Sequence, residues 1–220
     1  MCDGKNKSEA VEKDSLQNIL DYLSSCYPAA SALRYKTPFQ LLVAAVLSAQ
    51  STDEQVNRIT GPLFERYPDA FSLAELTPEE LMPWIKGCGL YRAKSRYLIE
   101  IARILAARFG GEVPASREEL MQLPGVGRKT ANVVLSNACG IPALAVDTHV
   151  LRVSRRLGLA DGKTPEEVEK QLTSLLPRDV WGKVHHWLIW HGRKVCRARK
   201  PACPECGLRA WCVFYKQKKE

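Results

Sequence analysis

The sequence predicts an all-α protein because apolar periodicity and helix-start signals recur along it. Leu16, Ile19, Leu20 and Leu23 have the spacing that places side chains on one face of a helix. Segments 37–40, 77–80 and 164–167 each place Thr before Pro, with Glu or Gln in fourth position, as in a capping box at a helix start. No pair of runs alternates convincingly between apolar and polar residues. We therefore expect about nine or ten short helices.

The helices can be placed in chain order. The first is expected over residues 15–23, after a flexible N-terminus of residues 1–14. Capped helices begin at residues 38, 78 and 165, and Ser116 with Glu119 marks a further start. Helices are predicted over residues 91–109, 129–139 and 180–190, and the residues expected to end helices are Gly87, Gly110, Gly111 and Gly140.

Positive charge is concentrated at the C-terminal end. The 220-residue chain has a formal net charge of +8, and residues 192–220 hold nine Lys and Arg against two acidic residues. This concentration indicates a polyanionic partner, although a solvated basic tail would have the same composition.

Signals for a membrane or for export are missing from the sequence. No apolar run approaches the roughly 20 residues that span a bilayer, and the polar N-terminus lacks the apolar core of a signal peptide. We therefore expect a cytoplasmic protein, associated with the nucleoid if it is bacterial. The length of the chain suggests a monomer.

Four of the eight cysteines lie close together near the C-terminus: Cys196, Cys203, Cys206 and Cys212. In a cytosolic protein this spacing favours a metal site over disulfides. Only Cys203 and Cys206 form the short hook typical of zinc, and four thiolates are the usual ligands of a 4Fe–4S cluster. The spacing favours iron–sulfur and leaves zinc open.

The most informative motif is Leu-Pro-Gly-Val-Gly-Arg-Lys-Thr-Ala at residues 123–131. Gly125 and Gly127 would leave backbone N–H groups bare in a tight turn. The helix that follows would add its own unpaired N–H groups and the positive end of its dipole. The motif predicts a phosphate-binding hairpin that contacts a nucleic-acid backbone without reading its sequence. A plain turn between helices would use the same glycines.

The complete motif resembles that of the helix-hairpin-helix DNA glycosylases. The Gly140-Ile141-Pro142 loop before Asp147, segments 47–53 and 89–91, and the cysteine spacing are similar to the endonuclease III branch of that family. The resemblance, from about residue 15 to residue 212, implies two helical domains with a DNA groove between them. Residues 31–141 would form a six-helix barrel, and residues 15–30 with 142–220 a domain that holds a 4Fe–4S cluster on the four cysteines.

The resemblance also implies which residues act on DNA. Lys129 stands where bifunctional members carry a lysine nucleophile, and Asp147 matches the family's aspartate. Gln50 and Leu90 would fill the space left by a base turned out of the duplex. The expected DNA contacts are Gln50, Leu90, Gly125, Val126, Gly127, Arg128, His149, Arg197, Arg199 and Lys200.

The chemistry expected of Lys129 follows from its amine. A neutral amine can attack C1′ of a nucleotide, displace the base and form an iminium with the opened sugar. Loss of a C2′ proton then breaks the strand on the 3′ side. Partial burial and neighbouring cations would favour the neutral amine. Asp147 would assist deprotonation or stabilise charge on the sugar, and it is also placed to cap the following helix.

The predicted function is base excision repair by a DNA glycosylase with AP-lyase activity, acting on oxidised pyrimidines in damaged double-stranded DNA. One alternative is a monofunctional mismatch glycosylase of the same fold, against which Lys129 argues. A second is a non-catalytic iron–sulfur DNA-binding or redox-sensing protein, and a third is a DNA module that carries zinc.

Overall fold

The computed structural model describes residues 13–217, in which every regular element is a helix. The predicted all-α class is confirmed. Residues 1–12 of the predicted flexible N-terminus lie outside the described residues, whereas Lys13 and Asp14 already belong to the first helix. The α-helices are α1 Lys13–Cys26, α2 Pro38–Leu47, α3 Asp53–Arg66, α4 Ala70–Ala74, α5 Pro78–Ile85, α6 Tyr91–Arg108, α7 Arg117–Leu120, α8 Arg128–Ala138, α9 Thr148–Leu157, α10 Pro165–Leu175, α11 Trp181–Lys194 and α12 Val213–Gln217.

The described residues contain twelve α-helices and two 3₁₀ turns, at Arg178–Val180 and Cys203–Glu205. The predicted nine or ten was too low, and the helices α4 and α12, for which no start was predicted, have only five residues each. Such short helices show no periodic pattern in the sequence. None of the helices in the described part of the chain is both long and apolar enough to cross a membrane.

Two of the predicted capping boxes are present, with reciprocal hydrogen bonds at Thr77 with Glu80 and at Thr164 with Glu167. The box predicted at Thr37 is wrong in one half. The Thr37 hydroxyl accepts from the Gln40 N–H, but the buried Gln40 side chain accepts from Lys36 instead of from Thr37. The N-cap hydrogen bond of Thr37 is therefore present, whereas the Gln40 side chain binds the backbone of the preceding residue, Lys36.

The box predicted at Ser116 is also wrong in one half. The Ser116 hydroxyl accepts from the Glu119 N–H at 3.3 Å, as expected. The same hydroxyl donates to the Glu118 carboxylate at 3.2 Å. Glu118, and not Glu119, therefore supplies the carboxylate that binds Ser116.

The chain folds into two compact units. Residues 30–145 form one unit, and residues 13–29 with 146–217 form the described part of the other. The division after residue 145 lies four residues beyond the boundary implied by the resemblance.

The unit of residues 30–145 is built around α2. This helix is buried from Phe39 to Leu47, so it is apolar on every face, which is typical of a core helix. It packs against α3, α6 and α8, while α6 also packs against α4 and α5. All residues of this unit are described, and it contains seven helices instead of the expected six. Two of the seven are the short helices α4 and α7.

The second unit is built around α9. Val150, Val153 and Leu157 of α9 are buried, and the helix packs against α10, α11 and α12. The long helix α11 also packs against α1, so the N-terminal helix joins the C-terminal half of the chain.

The buried His186 on α11 makes stability depend on pH. Burial, and then the charge of the neighbouring His185, lowers the pKa of His186 from 6.5 to about 4. Between these values the unfolded chain binds a proton that the folded chain does not, so stability present above pH 6.5 is lost as pH falls toward 4. At pH 5 the loss is about 2 kcal/mol.

We expect His186→Gln to remove this part of the acid destabilisation. Urea unfolding at pH 7.5 and pH 5 measures it for both proteins. The comparison uses the difference between the two pH values, so any constant effect of the substitution cancels. An equal acid loss in the variant and the parent would contradict the assignment.

Candidate functional site

The predicted hairpin is a glycine turn between α7 and α8. Leu123 and Val126 anchor it with buried side chains, and the Val126 N–H donates to the Leu123 carbonyl at 3.1 Å. Gly125 has a φ of 72°, and a Cβ there would lie 2.7 Å from Cδ2 of Tyr97. Gly127 is the N-cap of α8, which has no side-chain cap. No capping side chain therefore occupies the N-terminal end of α8 in the described residues, which is where helices bind external acceptors.

Lys129 lies on the first turn of α8, after Arg128. Arg128 is half-buried and Lys129 is exposed. The expected partial burial of Lys129 is wrong for the chain by itself, because this helix buries its face at Ala131, Val134 and Leu135. Val126, in contrast, uses its side chain and its N–H inside the turn.

Asp147 is the N-cap of α9. Its Oδ1 accepts from the N–H groups of His149 and Val150, each at 2.8 Å. The second oxygen, Oδ2, takes no part in this cap. One oxygen of the carboxylate therefore fixes the orientation of the side chain, and the other is not used by the cap.

Asn132 is a residue that the sequence reasoning missed. It is buried on α8, and its Nδ2 donates to the Leu144 carbonyl at 3.0 Å. Its Oδ1 is buried without a hydrogen-bond partner in residues 13–217, which is costly for a polar atom. The bond ties α8 to the chain segment that leads toward Asp147. The sequence did contain a signal for this residue, because an Asn on the apolar face of a helix needs a hydrogen-bond partner.

Arg152 was also missed, although it lies one helical turn after His149. Its guanidinium contacts His149 Nδ1 at 3.1 Å, and donates to the Gly192 carbonyl at 3.1 Å and to the Cys196 carbonyl at 3.2 Å. It therefore fixes the His149 ring and the backbone of the first cysteine together.

Arg156 makes similar contacts one turn later. It donates to the carbonyls of Arg197 at 2.8 Å and Ala198 at 3.1 Å, and lies over the Phe214 ring at 4.5 Å. Arg152 and Arg156 are four residues apart, which places them on one face of α9. Neither pairs with a carboxylate within the described residues. The cysteine loop is held by two arginines that bind its carbonyl groups.

The four cysteines line one cavity that is open to solvent. Other lining residues include Leu157, His191, Val195 and Phe214. No group of three or more His, Cys, Asp or Glu side chains in residues 13–217 is arranged to hold a single metal ion. The four cysteines nevertheless line the same cavity, so their thiols form one candidate metal site.

Electrostatics around this cavity also favour a positively charged occupant. Burial raises the pKa values of Cys206 and Cys212, and the neighbouring cysteines raise them further. Burial lowers the pKa of His191 to about 4, and this neutral ring lies between Tyr27 Oη at 3.0 Å and Cys206 Sγ at 3.7 Å. Bound metal cations would stabilise the thiolate forms of Cys206 and Cys212, whose pKa values are raised.

The loop between Cys196 and Cys203 carries the predicted basic contacts. Arg197, Arg199 and Lys200 are all exposed. Lys200 has a φ of 50°. Because Arg156 binds the carbonyls of residues 197 and 198, the backbone that presents these cations is fixed.

Three non-glycine residues in the described part of the chain have positive φ, namely Gln50 at 56°, Leu90 at 57° and Lys200 at 50°. This left-handed conformation costs an ordinary residue about 1–2 kcal/mol, and such strain is concentrated at functional sites. All three residues are among the ten predicted DNA contacts. Gln50 is exposed, and Leu90 is 59% exposed although it is a large apolar side chain.

The predicted site residues are divided between the two units. Lys129, the hairpin, Gln50 and Leu90 belong to residues 30–145. Asp147, His149, the basic loop and the four cysteines belong to the other unit.

Comparison with known proteins gives one family. Residues 43–178 match the family model of the HhH-GPD superfamily base excision DNA repair proteins. The endonuclease III of Rickettsia felis is 48% identical over 206 residues, which are 93% of this chain and 97% of that protein. The endonuclease III of Escherichia coli is 46% identical over 84% of this chain and 88% of its own length.

Solved structures give the same result. A trapped endonuclease III–DNA covalent intermediate matches with a TM-score of 0.88 and 44% identity, covering 95% of this chain and 99% of that chain.

We expect Gly125→Ala and Gly127→Ala to differ in stability. Alanine at residue 125 must adopt φ of 72° and displace the Tyr97 ring, at a cost of about 1–2 kcal/mol or more. Gly127 has negative φ and no atom within 4 Å of the added Cβ, so Gly127→Ala is the matched control. Urea unfolding measures both, and equal free energies of unfolding would disprove the described turn.

Proposed function

Because the chain belongs to the endonuclease III family of the HhH-GPD superfamily, we propose that its substrates are oxidised pyrimidines in damaged double-stranded DNA. The protein is a base excision repair DNA glycosylase with AP-lyase activity. The predicted family and the predicted glycosylase and AP-lyase activities are confirmed. The monofunctional alternative is not favoured, since the relatives at 46–48% identity are endonuclease III proteins.

The exposed Lys129 beside the glycine hairpin is the observation that supports this mechanism most directly. Backbone N–H groups at the start of α8 would bind a phosphate and bring the sugar to the Lys129 amine. The amine attacks C1′, the bond from C1′ to the base breaks, and the opened sugar forms an iminium. Loss of a C2′ proton then expels the 3′ phosphate. Lys129 is exposed in the chain by itself, so the bound DNA must supply its desolvation.

We propose that Asp147 assists this reaction through Oδ2. Its Oδ1 is engaged with two N–H groups of α9, which holds the carboxylate in one orientation. The free oxygen can assist deprotonation of the attacking amine or stabilise positive charge on the sugar. The N-cap and the chemical role therefore use different atoms of one side chain.

We propose that Cys196, Cys203, Cys206 and Cys212 hold a 4Fe–4S cluster. The shared cavity and the set of four thiols support this assignment. When bound, the cluster supplies a structural anchor for the Cys196–Cys203 loop and takes no part in excision. Arg197, Arg199 and Lys200 would then contact DNA phosphates, which sets position but not sequence preference.

We propose that Gln50 and Leu90 fill the duplex where the damaged base has left. Both are exposed in strained backbone, and removing a base from the stack costs a few kcal/mol.

The enzyme would act as a monomer in the cytoplasm, where bacterial DNA lies.

Lys129→Gln and Asp147→Asn should separate binding from chemistry. Lys129→Gln keeps the backbone donors of the hairpin, so it should bind abasic-site DNA but give no covalent product with borohydride. Asp147→Asn keeps an oxygen that can accept from His149 and Val150, so stability should hold while base excision falls by about 10²-fold.

DNA affinity, trapping yield and excision rate are measured on the same preparations. Lys36→Gln is the control, because it removes one exposed lysine charge from the same unit. A Lys129→Gln protein that still traps at the parental yield would rule out the nucleophile proposed here.

The cluster makes a separate prediction. Purified protein should contain about four iron atoms and no stoichiometric zinc. Cys203→Ser should lose iron and bind DNA more weakly, whereas Cys26→Ser, which alters an exposed cysteine on α1, should keep both properties. Zinc without iron in the parent protein would overturn the assignment.

A further inference from the structure

Lys94 is a buried lysine for which the mechanism above gives no role. It lies in the first turn of α6, and only 3% of its surface is exposed. In residues 13–217 no carboxylate pairs with it. A buried ammonium without such a partner is rare, so its remaining contacts must be unusually favourable.

The contacts of Lys94 are all oxygens from the C-terminal end of α2 and the following turn. Its Nζ donates to the carbonyls of Leu47 at 2.8 Å and Ala49 at 2.5 Å, and Ser51 Oγ lies at 3.5 Å. The last carbonyls of a helix have no partner within the helix, and a cation there complements the helix dipole. The three N–H groups of an ammonium match these three oxygens.

The same turn is in contact with the loop that carries Leu90. The Gly89 N–H donates to Ser51 Oγ at 3.1 Å. A Cβ at residue 89 would lie only 2.9 Å from the Gln50 carbonyl oxygen, so the two backbones approach as closely as glycine allows. The carbonyl of Leu90 accepts from the Lys94 N–H at 3.0 Å. This last bond is the ordinary backbone bond of a helix start, so the Lys94 side chain reaches the Leu90 loop through Ser51, which also accepts from Gly89.

We propose that Lys94 is the positioning residue that holds Gln50 and Leu90 side by side as one rigid unit for filling the DNA stack. The side chains of Gln50 and Leu90 are both exposed, and both residues keep the left-handed backbone only because the surrounding turn is fixed. Lys94 does not touch DNA in this assignment. The inference rests on the proposed role of Gln50 and Leu90 in the duplex.

Loss of the Lys94 contacts is expected to affect the reaction on duplex DNA only. Side chains that fill the stack are needed only where a base leaves a stacked duplex. An abasic site in a single strand leaves no stack to fill. A displacement of about 1 Å at a positioned group can cost about 10²-fold in rate. Loss of the Lys94 contacts should therefore slow the reaction on duplex DNA and spare the amine chemistry of Lys129.

The test compares Lys94→Met with Lys86→Met. Methionine keeps much of the length of the lysine side chain and removes the donors, and Lys86→Met removes the same charge from an exposed residue at the end of α5. Borohydride trapping is measured on one abasic oligonucleotide, as a duplex and as a single strand. Lys94→Met should trap the duplex at least about tenfold more slowly and the single strand at the parental rate, whereas Lys86→Met should match the parent on both.

A second measurement does not depend on catalysis. 2-Aminopurine placed opposite the abasic site reports how the stack changes when the protein binds. Lys94→Met should give a smaller fluorescence change than the parent at saturating protein, and Lys86→Met should give the same change as the parent.

Gln50→Ala and Leu90→Ala distinguish the ways in which the inference can fail. If neither substitution alters the duplex reaction or the fluorescence, the proposal that Gln50 and Leu90 fill the stack is wrong. If both do and Lys94→Met does not, Lys94 has no positioning role. Equal losses by Lys94→Met on duplex and single strand would show only a structural role and would also overturn the inference.

If Lys94→Met does not fold, Gly89→Ala tests the contact between the Gln50 turn and the Leu90 loop on which the inference depends. Its Cβ would displace the Gln50 carbonyl and leave Lys94 in place. It should show the same duplex-selective loss, and an equal loss on both substrates, or no loss, would contradict the inference.

Discussion

The complete burial of α2 is the constraint on which the unit of residues 30–145 depends. A helix that is apolar on every face must be covered on every face, and α3, α6 and α8 provide much of that cover. Its C-terminal carbonyls then end at the edge of the core, where Lys94 supplies donors. Packing on α2 also fixes α8, and with it the hairpin and Lys129.

Helix α9 has the corresponding function in the other unit. Its first turn is capped by Asp147, and its outer face presents Arg152 and Arg156 to the carbonyls of the cysteine loop. One helix therefore connects the carboxylate proposed for chemistry with the loop proposed for DNA contact. Disturbing the cysteines would act on both through this helix.

Backbone strain coincides with three of the proposed DNA contacts. Gln50, Leu90 and Lys200 have left-handed backbone without being glycine, and neighbouring side chains fix the backbone near Gln50 and Lys200. Lys94 holds the turn of Gln50, and Arg156 holds the loop of Lys200 by its carbonyls. This arrangement agrees with preorganised contacts, in which the protein bears the cost of ordering before DNA binds.

The sequence by itself determined the all-α class, most helix starts, the hairpin, the four cysteines and the family, because each is encoded by local spacing. It also indicated that Asp147 is an N-cap. Only the tertiary structure decided the roles of Lys94, Asn132, Arg152 and Arg156, since their partners are carbonyls distant in sequence or in separate elements, which no local pattern reveals. It also corrected the burial expected of Lys129, because the neighbours of an exposed helix turn are set by packing and not by the motif.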